Sequence, residues 1–148
     1  MNGVPMVVTG LDSGGKSVVT RDSETPFIRA SDTPGAWTVD LWEMAAVPST
    51  LSDEDTLATG CGFPQAGALV FRIVQPPPES VVLLDPEEAK NYYGRKALIG
   101  LDEFGMHHSD TVDMIVILSG EVWMKLKYPH EVRLKAGDTL IQRRTVHT

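Results

Sequence analysis

The fold is decided by the last third of the chain, where residues 105–148 read GMHHSDTVDMIVILSGEVWMKLKYPHEVRLKAGDTLIQRRTVHT. Four segments in it have the apolar or alternating character of strands: 114–118, 121–127, 132–134 and 139–142. Turn residues separate them at 119–120, 128–130 and 136–138. The continuous apolar run at 114–118 is typical of a buried strand. This part of the chain is therefore predicted to be a series of short strands joined by tight turns.

The preceding residues continue the same pattern. Strand signals lie at 6–9, 17–20, 37–42 and 68–74, and prolines 76–78 close the last of them. One short helix is predicted over 85–94, because Asp85 can cap it, Pro86 suits its first position and Gly94 can end it. Residues 47–67 read as a long loop. The fold class is thus all-β with one short helix, a sandwich or a barrel, in a single domain over residues 1–148.

Composition narrows the classes of partner. A formal net charge of −7 argues against a nucleic-acid partner and against an anionic membrane surface. No apolar run approaches the roughly 20 residues of a transmembrane helix, and the N-terminus lacks the basic residues of a signal peptide. The lone cysteine, Cys61, fits a reducing compartment. We expect a cytoplasmic protein.

Residues 10–17 match the phosphate-binding loop pattern at every fixed position. That motif needs a helix starting at its Lys-Ser pair, so that the helix N-terminus faces the phosphates. Here Lys16-Ser17 leads into the β-branched residues Val18-Val19-Thr20, and Pro26 follows soon after. We interpret the segment as a glycine-rich hairpin turn.

Polar side chains suited to a ligand site cluster in the last third of the chain. Residues two apart on a strand face the same way, so His107 and Ser109 share a face that His108 does not. Asp113 begins one strand and His147 lies on a later one, which can lie beside the first. Imidazole and carboxylate groups from neighbouring strands suit a divalent metal, but a hydrogen-bonded polar cluster without metal is an equal alternative.

Residues 105–148 resemble the two sequence motifs of the cupin superfamily. In the first motif, His107 matches the first histidine, Ser109 stands at the place of the second, and Asp113, seven residues before Gly120, takes the place of the glutamate. In the second, Gly137-Asp138 and His147 match. Two arginines, Arg143 and Arg144, replace the usual proline and glycine turn, and the spacing to His147 is one residue short.

The resemblance implies a cupin-type double-stranded β-helix, or jelly-roll, barrel. It also implies a metal set of His107, Asp113 and His147 for iron, zinc, manganese or nickel, with Ser109 a poor replacement for the third histidine. His147 and Asp113 are the expected catalytic residues. Gln142, Arg144 and Ser109 are the expected substrate-binding residues.

Two functions follow as expectations. The first is a metal-dependent enzyme (a dioxygenase, decarboxylase, dehydratase or isomerase) acting on a small oxygenated or carboxylated compound. The alternative is a non-catalytic module that binds a small ligand without metal. A barrel of this kind would continue past His147, so either the chain is truncated or a partner supplies the missing strand. Because of that strand and of exposed edges, we expect a homodimer.

Overall fold

The computed structural model describes residues 3–25, 28–30, 34–46, 64, 66–78, 100, 102, 105–127 and 130–148. These ranges contain nine strands and no helix: β1 Pro5–Leu11, β2 Ser17–Glu24, β3 Arg29–Ala30, β4 Trp37–Met44, β5 Leu69–Gln75, β6 Val112–Val116, β7 Glu121–Lys125, β8 Glu131–Lys135 and β9 Thr139–Arg143. The expected all-β class is confirmed. The helix predicted over 85–94, Cys61 and most of the loop predicted at 47–67 lie outside the described residues.

The chain divides into two compact units, Met1–Val81 and Val82–Thr148. Every strand of each unit pairs antiparallel with its neighbours. The single-domain organisation stays a prediction.

The first unit begins with the hairpin of β1 and β2. Its turn is held by Asp12, whose Oδ1 accepts hydrogen bonds from the backbone amides of Gly14 and Lys16 at 2.8 and 2.9 Å. Gly15 takes a φ of 77°, which glycine adopts without strain. Lys16 leads into strand β2, not into a helix. The hairpin interpretation of the glycine-rich segment is confirmed.

A three-stranded sheet in the order β3-β4-β5 follows in the described part of the first unit. Its core lies along β4, where Val39 is fully buried and Leu41 is nearly so. Beside them, Asp40 is paired in register with Arg72 of β5. The guanidinium donates two hydrogen bonds to this carboxylate, from Nε at 2.6 Å and from Nη2 at 3.0 Å. The buried charge of Asp40 is therefore neutralised within the sheet.

The second unit contains two strand pairs, β6-β9 and β7-β8. The turn from β8 to β9 spans Lys135 to Asp138, and Gly137 takes a φ of 93° there. The Asp138 amide donates to the Lys135 carbonyl at 2.9 Å, and the Asp138 carboxylate accepts from the Lys135 amide at 2.8 Å. The turn at Gly137-Asp138 therefore positions the start of β9.

Strand β6 corrects one expectation. The run at 114–118 was expected to be buried, yet Met114, Val116 and Leu118 are 75%, 54% and 65% exposed. The reason is alternation: Asp113 pairs with Gln142 across β6 and β9, and these two polar residues occupy the covered face. Their apolar neighbours must then point the other way.

Candidate functional site

His107 and His147 form the centre of the candidate site. Their backbones pair in an isolated antiparallel bridge, in which each amide donates to the other residue's carbonyl oxygen at 2.9 Å. The imidazole ring centroids lie 4.5 Å apart, with an angle of 55° between the ring planes. The structure therefore brings together two of the three predicted metal ligands, although 39 residues lie between them in the sequence.

A second bridge holds the other edge of the segment that carries His147. Here His147 pairs with Leu126, and Thr148 and Lys125 exchange backbone hydrogen bonds at 2.9 and 3.0 Å. The segment thus lies between the His107 backbone and the end of β7. Since both edges are paired, the position of the His147 ring is set by the backbone on both sides.

Backbone carbonyl groups set the tautomer of both histidines. The Nδ1 atom of His107 lies 2.8 Å from the carbonyl oxygen of Gly105, and Nδ1 of His147 lies 2.8 Å from that of Thr145. A carbonyl oxygen can only accept, so each Nδ1 carries the proton and donates it. Each Nε2 then keeps its lone pair in the neutral ring, which is the arrangement that metal-binding histidines use.

The electrostatic environment also favours a neutral His107. Burial lowers the pKa of this imidazole; the bond to the Gly105 carbonyl opposes that shift, and the nearby rings of His147 and His108 reinforce it. The side chain is 8% exposed. At pH 7 the ring is therefore a neutral lone-pair donor rather than a cation.

Gln142 is the third side chain at this site. It is 6% exposed, and its Nε2 lies 2.7 Å from both ring nitrogens of His147. The amide nitrogen is equidistant from the two ring nitrogens, so Gln142 is a polar neighbour of the whole His147 ring.

Asp113 lies beside Gln142 on the covered face of β6 and β9, as its directly opposed partner in register. Among the described residues, no three side chains of the His, Cys, Asp and Glu types come together as a metal-binding group. Of the predicted set of His107, Asp113 and His147, the two histidines are thus paired, and Asp113 is paired in register with Gln142 instead.

The other two expected binding residues differ in exposure. Ser109 is buried, and its hydroxyl lies 2.7 Å from that of Thr111. Arg144 is an exposed turn residue with a φ of 54°, and its Nε lies 3.8 Å from a carboxylate oxygen of Asp110. A left-handed residue stands where the resembled motif has its glycine turn, which explains how the chain turns without glycine.

The carbonyl oxygens of Gly105 and Thr145 are functional groups that sequence reasoning missed. Each lies two residues before its histidine, so the equal spacing was visible in the sequence. Nothing in that spacing indicates whether the backbone lets the ring nitrogen reach the carbonyl.

Comparison of the chain with models of protein families and with curated protein sequences found no match. Within the described ranges, no helix has the length and apolar character needed to cross a membrane.

Proposed function

We propose that this protein is a cupin-like β-barrel enzyme that uses a divalent metal to act on a small oxygenated or carboxylated compound. The observation that supports it is the histidine pair: two imidazoles with ring centroids 4.5 Å apart, whose Nδ1 atoms both contact backbone carbonyl oxygens. Imidazole nitrogens are ligands that iron, zinc, manganese and nickel all accept. A homodimer in the cytoplasm is part of the same proposal.

His107 and His147 would hold the metal, and their backbone bridge would keep the Nε2 atoms in place before it binds. A metal held by so few protein ligands has open positions, where it would act as a Lewis acid on a substrate oxygen. The covered face also carries Asp113, a carboxylate able to move a proton on the substrate during decarboxylation, dehydration or isomerisation. Dioxygenation belongs to the same range of chemistry. Ser109 is buried close to His107 in the chain, and Arg144 would contact only a ligand that reaches the exposed turn.

A second candidate function is metal-free binding of a small ligand, and the Gln142 contact favours it. The Gln142 amide nitrogen, 2.7 Å from both nitrogens of His147, gives that ring a polar partner without metal. In this case a ligand with an acidic hydroxyl or a carboxyl group would bind to the histidine pair by hydrogen bonds. His147 could then take or give a proton at Nε2.

Elemental mass spectrometry of the purified protein, before and after loading with each of the four metals, separates these functions. The enzyme proposal expects near-stoichiometric metal, which is lost in His147→Ala and in His107→Ala. His130→Ala is the matched control, because His130 is an exposed histidine in the same unit.

Two results would contradict the enzyme proposal. One is the absence of metal after loading with all four ions, combined with thermal stabilisation by small acids or phenols. The other is equal loss of metal from all three histidine variants, which would show that the metal is bound without a specific site.

A further inference from the structure

We infer that the exposed face of β6 and β9 is the surface through which two copies of this chain form a homodimer. This face is defined by five apolar residues: Val112, Met114, Val116, Leu118 and Ile141. The inference rests on the homodimer of the proposed function and gives it a surface, but it does not depend on a metal.

The first argument is the inverted polarity of this strand pair. On the covered face, Asp113 is directly opposed to the buried Gln142. On the exposed face, Met114 is directly opposed to Ile141, and these two residues are 75% and 57% exposed. An antiparallel sheet with one solvated face normally turns its polar residues to water. A strand pair that does the reverse presents its apolar side chains where a partner would bury them.

The second argument is the contrast with β7 and β8 in the same unit. There Trp123 is directly opposed to Arg133, whose guanidinium carbon lies 5.5 Å from the centre of the indole ring. The Nε atom of Arg133 also donates to the Glu121 carboxylate at 2.9 Å. Those outward side chains pair with one another and suit water. The exposed face of β6 and β9, as far as the structure describes it, carries one charge, Arg143, which is opposed to Val112.

The third argument is area. The exposed parts of the five apolar residues amount to about 500 Å², within the roughly 300–600 Å² of the largest apolar patch on a typical monomer. A standard interface buries about 800 Å² of each partner. The apolar residues would therefore supply more than half of such an interface. Thr139 and Arg143, which alternate with Ile141 along β9, would begin its polar rim.

A second copy is the occupant that these features favour. An interface that uses the same face on both partners needs no matching charges when that face is almost uncharged. Two identical strand pairs also share the same twist, so their faces can pack in the aligned arrangement of stacked sheets. The formal net charge of −7 argues against an anionic membrane as the occupant.

The symmetry of a homodimer adds a geometric expectation. In a two-fold interface, a residue close to the axis meets its own copy. Met114 lies between Val112 and Val116 on β6 and is opposed to Ile141 on β9, so it occupies the middle of the exposed face. We therefore place the two-fold axis beside Met114.

The test measures the mass of the full chain by sedimentation equilibrium over a range of protein concentrations. The unaltered protein should be a dimer. Met114→Lys sets two like charges against each other in the interface and should weaken dimerisation at least about 100-fold. Ile141→Lys should weaken it as well. Trp123→Lys is the matched control, because it puts the same charge on an exposed apolar residue of the β7 and β8 pair and should leave the dimer intact.

A charge exchange makes the test independent of misfolding. Met114→Glu alone should also be monomeric, but an equimolar mixture of Met114→Lys and Met114→Glu should form a dimer, because opposite charges then meet near the axis. A variant that had failed to fold would not be rescued in this way. A mixture that stays monomeric would overturn the placement of the axis beside Met114.

The outcomes also separate this inference from the proposed function. If the unaltered protein is a dimer and both lysine variants of the exposed face remain dimeric, the dimer uses another surface. The inference is then wrong and the homodimer stands. Equal dissociation of Trp123→Lys would also overturn it, since added charge alone would then be the cause. If the unaltered protein is monomeric at every concentration, the inference and the homodimer are both wrong, and metal analysis still decides the enzyme proposal.

Discussion

The backbone of His107 and the backbone of His147 donate to each other at 2.9 Å in both directions, so strand pairing itself sets the separation of the two imidazoles. Residues that exchange both hydrogen bonds in an antiparallel pair have Cα atoms about 5.5 Å apart. A ligand that needs both rings finds them already in position and does not have to order a loop.

The lowered pKa of His107 predicts a stability that depends on pH. In the unfolded chain the imidazole titrates near 6.5, and burial lowers its pKa in the folded protein. Protons therefore bind the unfolded state more readily, and the free energy of unfolding decreases as the pH falls below about 6.5, by at most about 1.4 kcal/mol per pH unit from this group. Above that pH, this imidazole no longer changes the free energy of unfolding. Urea denaturation between pH 5.5 and 7.5, with a chelator present, measures this slope.

His107→Gln should flatten the slope over this range, whereas His130→Gln at the exposed site should leave it unchanged. An identical slope in the His107 variant and in the unaltered protein would contradict the assignment of the effect to this ring.

Arg144 predicts a stabilising substitution. Its φ of 54° lies in the left-handed region, which costs a non-glycine residue about 1–2 kcal/mol. Arg144→Gly should relieve that strain and, after the extra entropy of glycine in the unfolded chain, raise the free energy of unfolding by about 0.5–1 kcal/mol. Arg143→Gly, at the last residue of β9, should lower the free energy of unfolding. Chemical denaturation of both variants measures these two changes in the free energy of unfolding. A loss of stability in Arg144→Gly would contradict this account of the turn.

The hydrogen bond of Asp138 predicts how much the turn from β8 to β9 contributes to stability. Its carboxylate accepts a hydrogen bond from the Lys135 amide at 2.8 Å. Asp138→Ala should lower the free energy of unfolding by about 1 kcal/mol, because that amide loses its acceptor. Asp138→Asn keeps an acceptor oxygen and should retain most of the stability. Thermal denaturation tests this, with the exposed Asp110→Ala as the control; equal stability of the two alanine variants would argue against the turn bond.

The ion pair of Asp40 and Arg72 predicts strong coupling within the first unit. The carboxylate side chain is 4% exposed, and the guanidinium 23%. Removing the cation in Arg72→Leu leaves a buried charge without its main partner and should cost about 2–3 kcal/mol. Replacing both residues, in Asp40→Leu with Arg72→Leu, should cost less than the single change. The double-mutant cycle is read by urea denaturation, and additive losses would exclude coupling between the two side chains.

The sequence predicted strands well wherever turn residues bounded a β-rich segment. The alternation at 121–127 corresponds to β7, Glu121–Lys125, and the turn at Gly137 lies where expected. The sequence did not predict which face of β6 is covered, because an apolar run has no alternation that would indicate the covered face. Only the pairing with β9 fixes that face, through Asp113 and Gln142.

For the candidate site, the resemblance identified the two histidines and gave Gln142 as an expected substrate-binding residue. Gln142 is the buried residue of β9. The contact between Gln142 and His147 was not predictable, since it depends on the turn at Arg144 that folds the chain back after β9. A left-handed arginine there has no sequence signature, because arginine rarely adopts that conformation.

The double pairing of the His147 segment links ligand binding to the order in which the chain folds. Residues 107 and 147 meet only after the intervening residues have closed a long loop, and such contacts form late compared with hairpins. The histidine pair is therefore absent from partly folded chains that have already made β7 and β8. A ligand that holds both rings would act as a reversible cross-link across that loop, and would slow unfolding more than it speeds folding.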